Sequence, residues 1–554
     1  MNLGSAARLW RTVRHLRLVQ LYWRLIFKFG SLRDLSQSLT NVQQNQSGLW
    51  TEFARRKQSL YGPMAFRLIN ENYDLKTAGW EPPHLSALFL YNLHYFDDLN
   101  SQNSSDRTKW HHDLIAHWIS ENPPAKGKGW EPYPTSLRLT NWIKWSLSGH
   151  CLSSEAKQSL FIQTRWLARR LEWHLLGNHL FVNAKALVFS GLFFEGPEAQ
   201  KWLTKGIKVL SKEIPEQILP DGGHFERSPM YHALALEDML DLVNISQVFD
   251  GVLSEEQRVF FSNCRSRIPA MLHWLETFSH PDGGIAFFND ASFSIAPDNK
   301  LLFDYAYRLG IKPNQTDTKI TRLSNSGYAR LELGKAVVLT DIAPIGPDYL
   351  PAHAHADTLS FEMSLDKKRV IVNSGTSVYG ISEERHRQRG TAAHSTLCIE
   401  GENSSEVWGG FRVGRRAYVS NISAKATSKI LKLSAQHEGY CHLAGQPKHR
   451  RTWYLEDSSL TIHDDIIGSG SPALDIRFHL APNIYVQDCN HEMEIFSSFD
   501  KRKIACVRFT QRDAVNIENS TWHPEFEKEI PNLCISIKFE KNLPYSHSTI
   551  FKWE

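Results

Sequence analysis

Near residues 312–325 the spacing of apolar residues changes once, from a helical period to alternation. Upstream, residues 160–173, 233–243 and 268–275 repeat apolar side chains every three or four positions, the mark of a helix with one buried face. Downstream, residues 326–333, 337–340, 369–372, 460–463, 476–479 and 534–538 are short, alternating and bounded by turn residues, the mark of half-buried strands. Elements with such different faces sort into separate layers. At 554 residues the chain is also too long for one core. Three parts are expected: a basic amphipathic segment over 1–49, a helical unit over 50–318, and an antiparallel all-β unit, a sandwich, over 319–554. Pro-Asp-Gly-Gly turns at 220–223 and 281–284 point to stacked helical hairpins.

Several function classes are excluded at this stage. A net charge of +4 is too small for a nucleic-acid binder of this size. No apolar run approaches the length of a membrane-spanning helix. The seven cysteines are scattered, with no Cys-x-x-Cys pair, which fits neither a disulfide framework nor a cysteine zinc site. Between Arg8 and Arg33 lie Arg11, Arg14, Arg17, Arg24 and Lys28 among aromatic and aliphatic residues, with no acid before Asp34. Such a segment either lies on an anionic membrane surface or docks on the rest of the chain. It lacks an uninterrupted apolar core and a small-residue cleavage site, so no secretory leader is expected. Cytoplasmic, inner-membrane-peripheral and periplasmic settings all stay open.

Three stretches carry chemistry. In Pro351-Ala-His-Ala-His-Ala-Asp357, an extended strand would put His353, His355 and Asp357 on one face. That face could hold a metal, supply an acid or base, or be an inert strand end. Gly177-Asn-His begins an apolar helix, with Asn178 either a plain N-cap or a functional group beside His179 and Asn183. Asp221-Gly-Gly-His-Phe-Glu-Arg-Ser-Pro-Met-Tyr-His232 packs many titratable groups into twelve residues, and Pro229 should start a helix with Tyr231 in its first turn. Aromatics in polar surroundings, such as Trp130-Glu-Pro-Tyr133 and Tyr91-Asn-Leu-His-Tyr95, suit sugar rings. The arginine-rich run 383–390 is either a loop over a cleft or a solvated turn, and Lys185 with Arg385, Arg387 and Arg389 would be cations available to an anionic chain.

These motifs, together with Asn373-Ser-Gly-Thr376 and Ala393-His-Ser-Thr-Leu397, resemble the heparinase II/III and alginate-lyase superfamily over roughly residues 80–420. The resemblance implies an incomplete (α/α) toroid followed by a C-terminal antiparallel β-sandwich, with the site between them. It implies β-elimination beside a uronic acid, catalysed by Asn178 and His179 on the carboxylate, Tyr231 as acid and also as base where proton and leaving group are syn, and His353 as alternative base or charge neutraliser. Trp130, Tyr133, His224, Glu226, Arg227 and Arg389 would contact the polysaccharide. It also implies one structural zinc or other divalent ion at His355, Asn373 and His394. Asn373 stands where relatives commonly carry aspartate, a better zinc ligand, so Asp357 is the alternative. The basic leading segment resembles a branch tied to bacterial exopolysaccharide, capsule or O-antigen production. Two other readings remain open: a glycoside hydrolase pairing Glu226 with Asp221 or Glu237, and a non-catalytic glycan-binding assembly protein.

Overall fold

The computed structural model describes residues 3–29, 43–315, 318–489, 492–510 and 515–554. Arg33 and Asp34, part of the expected basic segment, lie outside the described residues.

Helices follow one another through the first half: Ala87–Tyr95, Thr108–Glu121, Pro132–Leu147, Ser154–Arg169, Gly177–Phe193, Pro197–Gln217, Pro229–Val248, Glu255–Thr277 and Asn299–Arg308. Local chemistry sets their starts. Pro132, Pro197 and Pro229 stand in first turns, where a missing N–H leaves no gap in the ladder. The hydroxyls of Ser86, Ser153, Ser228 and Ser254 each accept a first-turn N–H. The Gly177–Phe193 helix is buried along most of its length, as a helix apolar all round must be. Trp118, Trp142 and Trp145 fill the core beside it. Both Pro-Asp-Gly-Gly turns close a long helix in the same way. The N–H of Leu219 donates to the Gly223 carbonyl and that of His280 to Gly284, each at 2.9 Å. Gly222 and Gly283 take φ of 88° and 86°, a region that other residues rarely enter.

One element departs from the expected helical run. Residues 60–74 form an antiparallel meander, Leu60–Gly62, Ala65–Leu68 and Glu71–Asp74. Phe66 and Leu68 point inward and Arg67 outward, a two-residue period. The turn at Ile69 and Asn70 has positive φ at both positions, as a two-residue type I′ hairpin requires.

From Ile320 onward the chain is strands. Ile320–Leu323, Tyr328–Leu333, Ala336–Asp341, Phe361–Leu365 and Lys368–Ile371 pair in sequence order as an antiparallel meander. Sheets of eight and four strands among the described residues share one apolar core with it, including Leu331, Phe361, Trp453, Ile476 and Phe551. The two halves are stitched by residues 287–290, which leave the toroid. The N–H of Phe287 donates to Glu362 Oε2 (3.0 Å), that of Asn289 to Asp357 Oδ2 (2.9 Å), and that of Asp290 to the His353 carbonyl (2.9 Å). Arg451, ion-paired to Asp464, donates to the carbonyls of Leu359 (3.0 Å) and Ser395 (2.8 Å). It thus holds the segment carrying His353 from behind.

The N-terminal helices Leu3–Val13 and Leu18–Phe29 dock across both halves. Arg11 pairs with Glu406 (2.9 Å), and Arg17 pairs with Glu216 and lies 3.6 Å over the Tyr349 ring. Trp23 stacks on Trp173 and Phe27 lies against His174. The opposite face is bare: Trp10 is 63% exposed, Leu18 83%, Tyr22 59% and Leu25 60%.

Candidate active site

The seam between toroid and sandwich gathers Tyr231, His353, Glu226, Asn178 and His179. Tyr231 occupies the first turn of the Pro229–Val248 helix, as expected, with its backbone N–H capped by Ser228 (3.1 Å). Its ring lies 4.0 Å from the His353 imidazole, centroid to centroid. Its hydroxyl is 3.1 Å from the hydroxyl of Tyr379. Burial pushes the Tyr231 phenol well above its ordinary pKa, with Tyr379 adding to it. The phenol therefore stays protonated at neutral pH.

His353 does not lie on a strand. Residues 351–360 are loop and turn, and the strand begins only at Phe361. Both histidines nevertheless converge on one buried carboxylate. His353 Nδ1 is 2.8 Å from Asp290 Oδ2 and His355 Nε2 is 2.8 Å from Asp290 Oδ1. Arg385 donates to both oxygens, at 2.8 Å from Nη2 to Oδ2, and Thr376 adds a hydroxyl at 3.3 Å. Burial alone would raise the Asp290 carboxyl, but the Arg385 charge and these hydrogen bonds hold it well below the usual carboxylate range. An ionised Asp290 accepts N–H from His353 Nδ1, which fixes where the other ring nitrogen, Nε2, points.

Glu226 faces that nitrogen, with Oε2 3.5 Å from His353 Nε2. It is 2% exposed, and among the described residues neither carboxylate oxygen has a hydrogen-bond partner. The backbone N–H of Asn178 is close enough to act electrostatically without closing a bond. Burial raises the Glu226 carboxyl above its ordinary value, against the pull of His353 and His179.

Asn178 and His179 stand half-buried in the first turn of the Gly177–Phe193 helix. The N-cap there is Leu176, so Asn178 does not cap the helix. His179 Nδ1 is 3.1 Å from Glu172 Oε1, a charge contact. Burial lowers the imidazole, but Glu172 outweighs it and the pKa lies above the ordinary value. Tyr133, half-buried, sits 4.4 Å from the His179 ring.

Four of the expected sugar contacts belong elsewhere. Trp130 is 3% exposed, packs between Trp118 and Trp166, and donates to the Asn122 carbonyl (3.1 Å), so it is core. His224 is buried against Gln217 (3.3 Å). Arg227 donates across the seam to the Ser326 carbonyl (2.9 Å). Arg389 lies in a helix, Glu383–Arg389, rather than a loop, and is spent on the Ala354 carbonyl at 3.0 and 2.9 Å, pinning the His353 segment. Lys185, also expected as a free cation, is buried against Asp238 and Asp241.

The expected metal positions come together only in part. His355 Nδ1 and His394 Nε2 face each other at 3.2 Å, and their other nitrogens meet Asp290 and the Gly390 carbonyl (both 2.8 Å). Asn373 is turned into the backbone, with Nδ2 donating to the Phe287 carbonyl and Oδ1 accepting from the Ser395 N–H (both 3.0 Å). Asp357 accepts the Asn289 N–H. Among the described residues no third His, Cys, Asp or Glu joins the two imidazoles within 4.8 Å. As placed, these side chains make a hydrogen-bonded pair and not a tetrahedral cage.

Asp290, Arg385 and Tyr379 were not anticipated as a unit. Asp290 follows a Phe-Phe-Asn run with no motif of its own, and Arg385 looked like one cation among several.

Known proteins match along most of the chain. The family model described as heparinase II/III N-terminus matches residues 102–317, and that described as heparinase II/III-like, C-terminal matches residues 315–554. A heparin-sulfate lyase of Bacteroides stercoris is 24% identical over 347 residues, 59% of this chain and 49% of its own length. A heparin-sulfate lyase of Bacteroides thetaiotaomicron is 22% identical over 485 residues, 74% of this chain and 64% of its own. The chain spans less than two-thirds of the length of these relatives. The crystal structure of heparinase III superposes with a TM-score of 0.68 at 18% identity, over 87% of this chain and 80% of that one, which is a shared fold.

Proposed function

This chain belongs to the heparinase II/III-like family, and from that premise we propose that it is a polysaccharide lyase breaking a glycosidic bond beside a uronic acid by β-elimination. The observation that carries the reading is the Tyr231–His353 pair, 4.0 Å apart at the seam, a phenol held protonated beside an imidazole anchored on Asp290.

The chemistry divides among these side chains. Asn178 and His179, whose imidazole pKa Glu172 raises, bind the uronate carboxylate and lower the cost of charge building up at C5. His353 Nε2 takes the C5 proton, and Asp290 steadies the imidazolium that forms. The C5–H electron pair becomes the C4–C5 double bond as the C4–O bond breaks. The departing oxygen takes the proton of Tyr231. Tyr379, hydrogen-bonded to Tyr231, steadies the resulting phenolate. This assigns Tyr231 the acid role and leaves the base role to His353, because burial opposes a phenolate in the resting site. Tyr231→Phe and His353→Ala should each lower kcat by about 10²–10⁴-fold with the fold intact. Turnover within a few-fold of wild type in either variant would overturn these roles.

The hydrolase reading is less well supported. Asp221 is engaged by the Asn325 and Ser326 N–H groups, and Glu237 by Arg56 (2.9 and 2.8 Å), so neither is free to partner Glu226. We propose that the protein sits at an anionic membrane surface, on the bare Trp10–Leu18–Tyr22–Leu25 face with the exposed Arg14 and Arg24, where a nascent bacterial exopolysaccharide, capsule or O-antigen chain would be its substrate.

A further inference from the structure

A cavity of about 280 Å³ opens between the 60–74 meander, the start of the Asn299–Arg308 helix and residues 525–526. It is joined to the site through one aromatic step. Phe526 lines the cavity and packs edge-on against Tyr379 at 4.9 Å, and Tyr379 is hydrogen-bonded to Tyr231. On the toroid side it is lined by Asp97, which is fixed by the Asn141 side chain (2.7 Å).

The lining suits a sugar. Half-buried Phe293 offers an apolar face, and Asn92 and Asp298 offer hydrogen-bonding groups. Arg55 and Arg56 are committed to Glu52 and Glu237. Lys57 and Arg67 are not: both are exposed, and neither side chain meets a carboxylate among the described residues. Arg67 is the outward residue of the Ala65–Leu68 strand and lines the cavity. These two cations lie ahead of residue 102, where the family match begins, and share the lining with the carboxylates of Asp97, Asp298 and Glu525.

Resting on the lyase reading above, we propose that this cavity is a second glycan subsite, one that holds an acidic sugar of the same polymer beyond the cleaved linkage, its anionic group met by Lys57 and Arg67. A polymer carrying a uronate in each repeat presents such a group near the one being cleaved. The meander then acts as a specificity element added to the shared cleft.

The test is affinity electrophoresis of wild type and a Lys57→Ala/Arg67→Ala double variant through gels containing heparosan, hyaluronan or alginate in turn, with KM measured on any polymer that is cleaved. Wild type should be retarded in at least one gel. The double variant should bind that polymer about tenfold more weakly and show a correspondingly higher KM. Its melting temperature should match wild type, and the gap in binding should shrink in high salt, as a charge contact requires and a packing role does not. Equal retardation of the two proteins, or a wild type unretarded in every gel, would overturn the subsite. Retardation lost in the variant with no polymer cleaved by wild type would instead overturn the lyase reading and leave the subsite standing.

Discussion

Asp290 carries the heaviest electrostatic load in the cleft, since one wholly buried carboxylate answers Arg385 and two imidazoles. Removing its charge leaves a buried guanidinium unpaired, which costs about 3–5 kcal/mol. Asp290→Asn should therefore lose that much in denaturant unfolding, and a loss under about 1 kcal/mol would contradict the hub. Glu226 makes the opposite prediction. Its folded pKa lies above the ordinary 4.5. Below both values the carboxyl is protonated in the folded and unfolded chain alike and nothing is lost. As pH rises past the ordinary value the unfolded chain ionises first, so folded stability falls until the raised value is passed and then stays lower. Glu226→Gln removes that loss, so its melting temperature should gain on wild type as pH rises from about 4. A difference that is flat with pH would refute the unpaired buried acid. At this scale the sequence was legible where a residue type has a narrow use, as with Tyr231 and His353. It misled for Trp130 and Arg389, because an aromatic or a cation reads the same whether it faces sugar or fills the core, and only burial distinguishes them.

Elements were legible where periodicity was long. The helices around 160–169, 233–243 and 268–275 and the strands near 328–341 and 459–479 stand where their spacing put them. The 60–74 meander was missed because strands of three or four residues leave too short a pattern to compete with the helical run around them. Of the two alternatives for the N-terminal segment, docking on the rest of the chain is what the helices do, through Arg11, Arg17 and Trp23, while their other face stays apolar and open. A Leu18→Glu/Leu25→Glu variant should lose co-sedimentation with vesicles containing anionic phosphatidylserine while keeping the wild-type melting curve, since neither residue faces the protein. Undiminished sedimentation of that variant, or none by wild type, would remove the membrane from the proposal.

At the scale of the whole molecule, the site exists only where the halves meet. The toroid supplies Asn178, His179, Glu226, Tyr231 and Asp290, and the β half supplies His353, Tyr379 and Arg385. The switch in period announced two units and their order. It could not announce the seam, because the contacts that build it, Asp290 with His353 and Tyr231 with Tyr379, join residues 63 and 148 positions apart. The most direct measurement is a product assay with the purified protein on uronate-containing bacterial polysaccharides, following ultraviolet absorbance of a new C4–C5 double bond while reducing ends are counted. Elimination predicts that absorbance and reducing ends rise together, one for one. Reducing ends appearing without absorbance would mean hydrolysis and would contradict the division of labour between Tyr231 and His353.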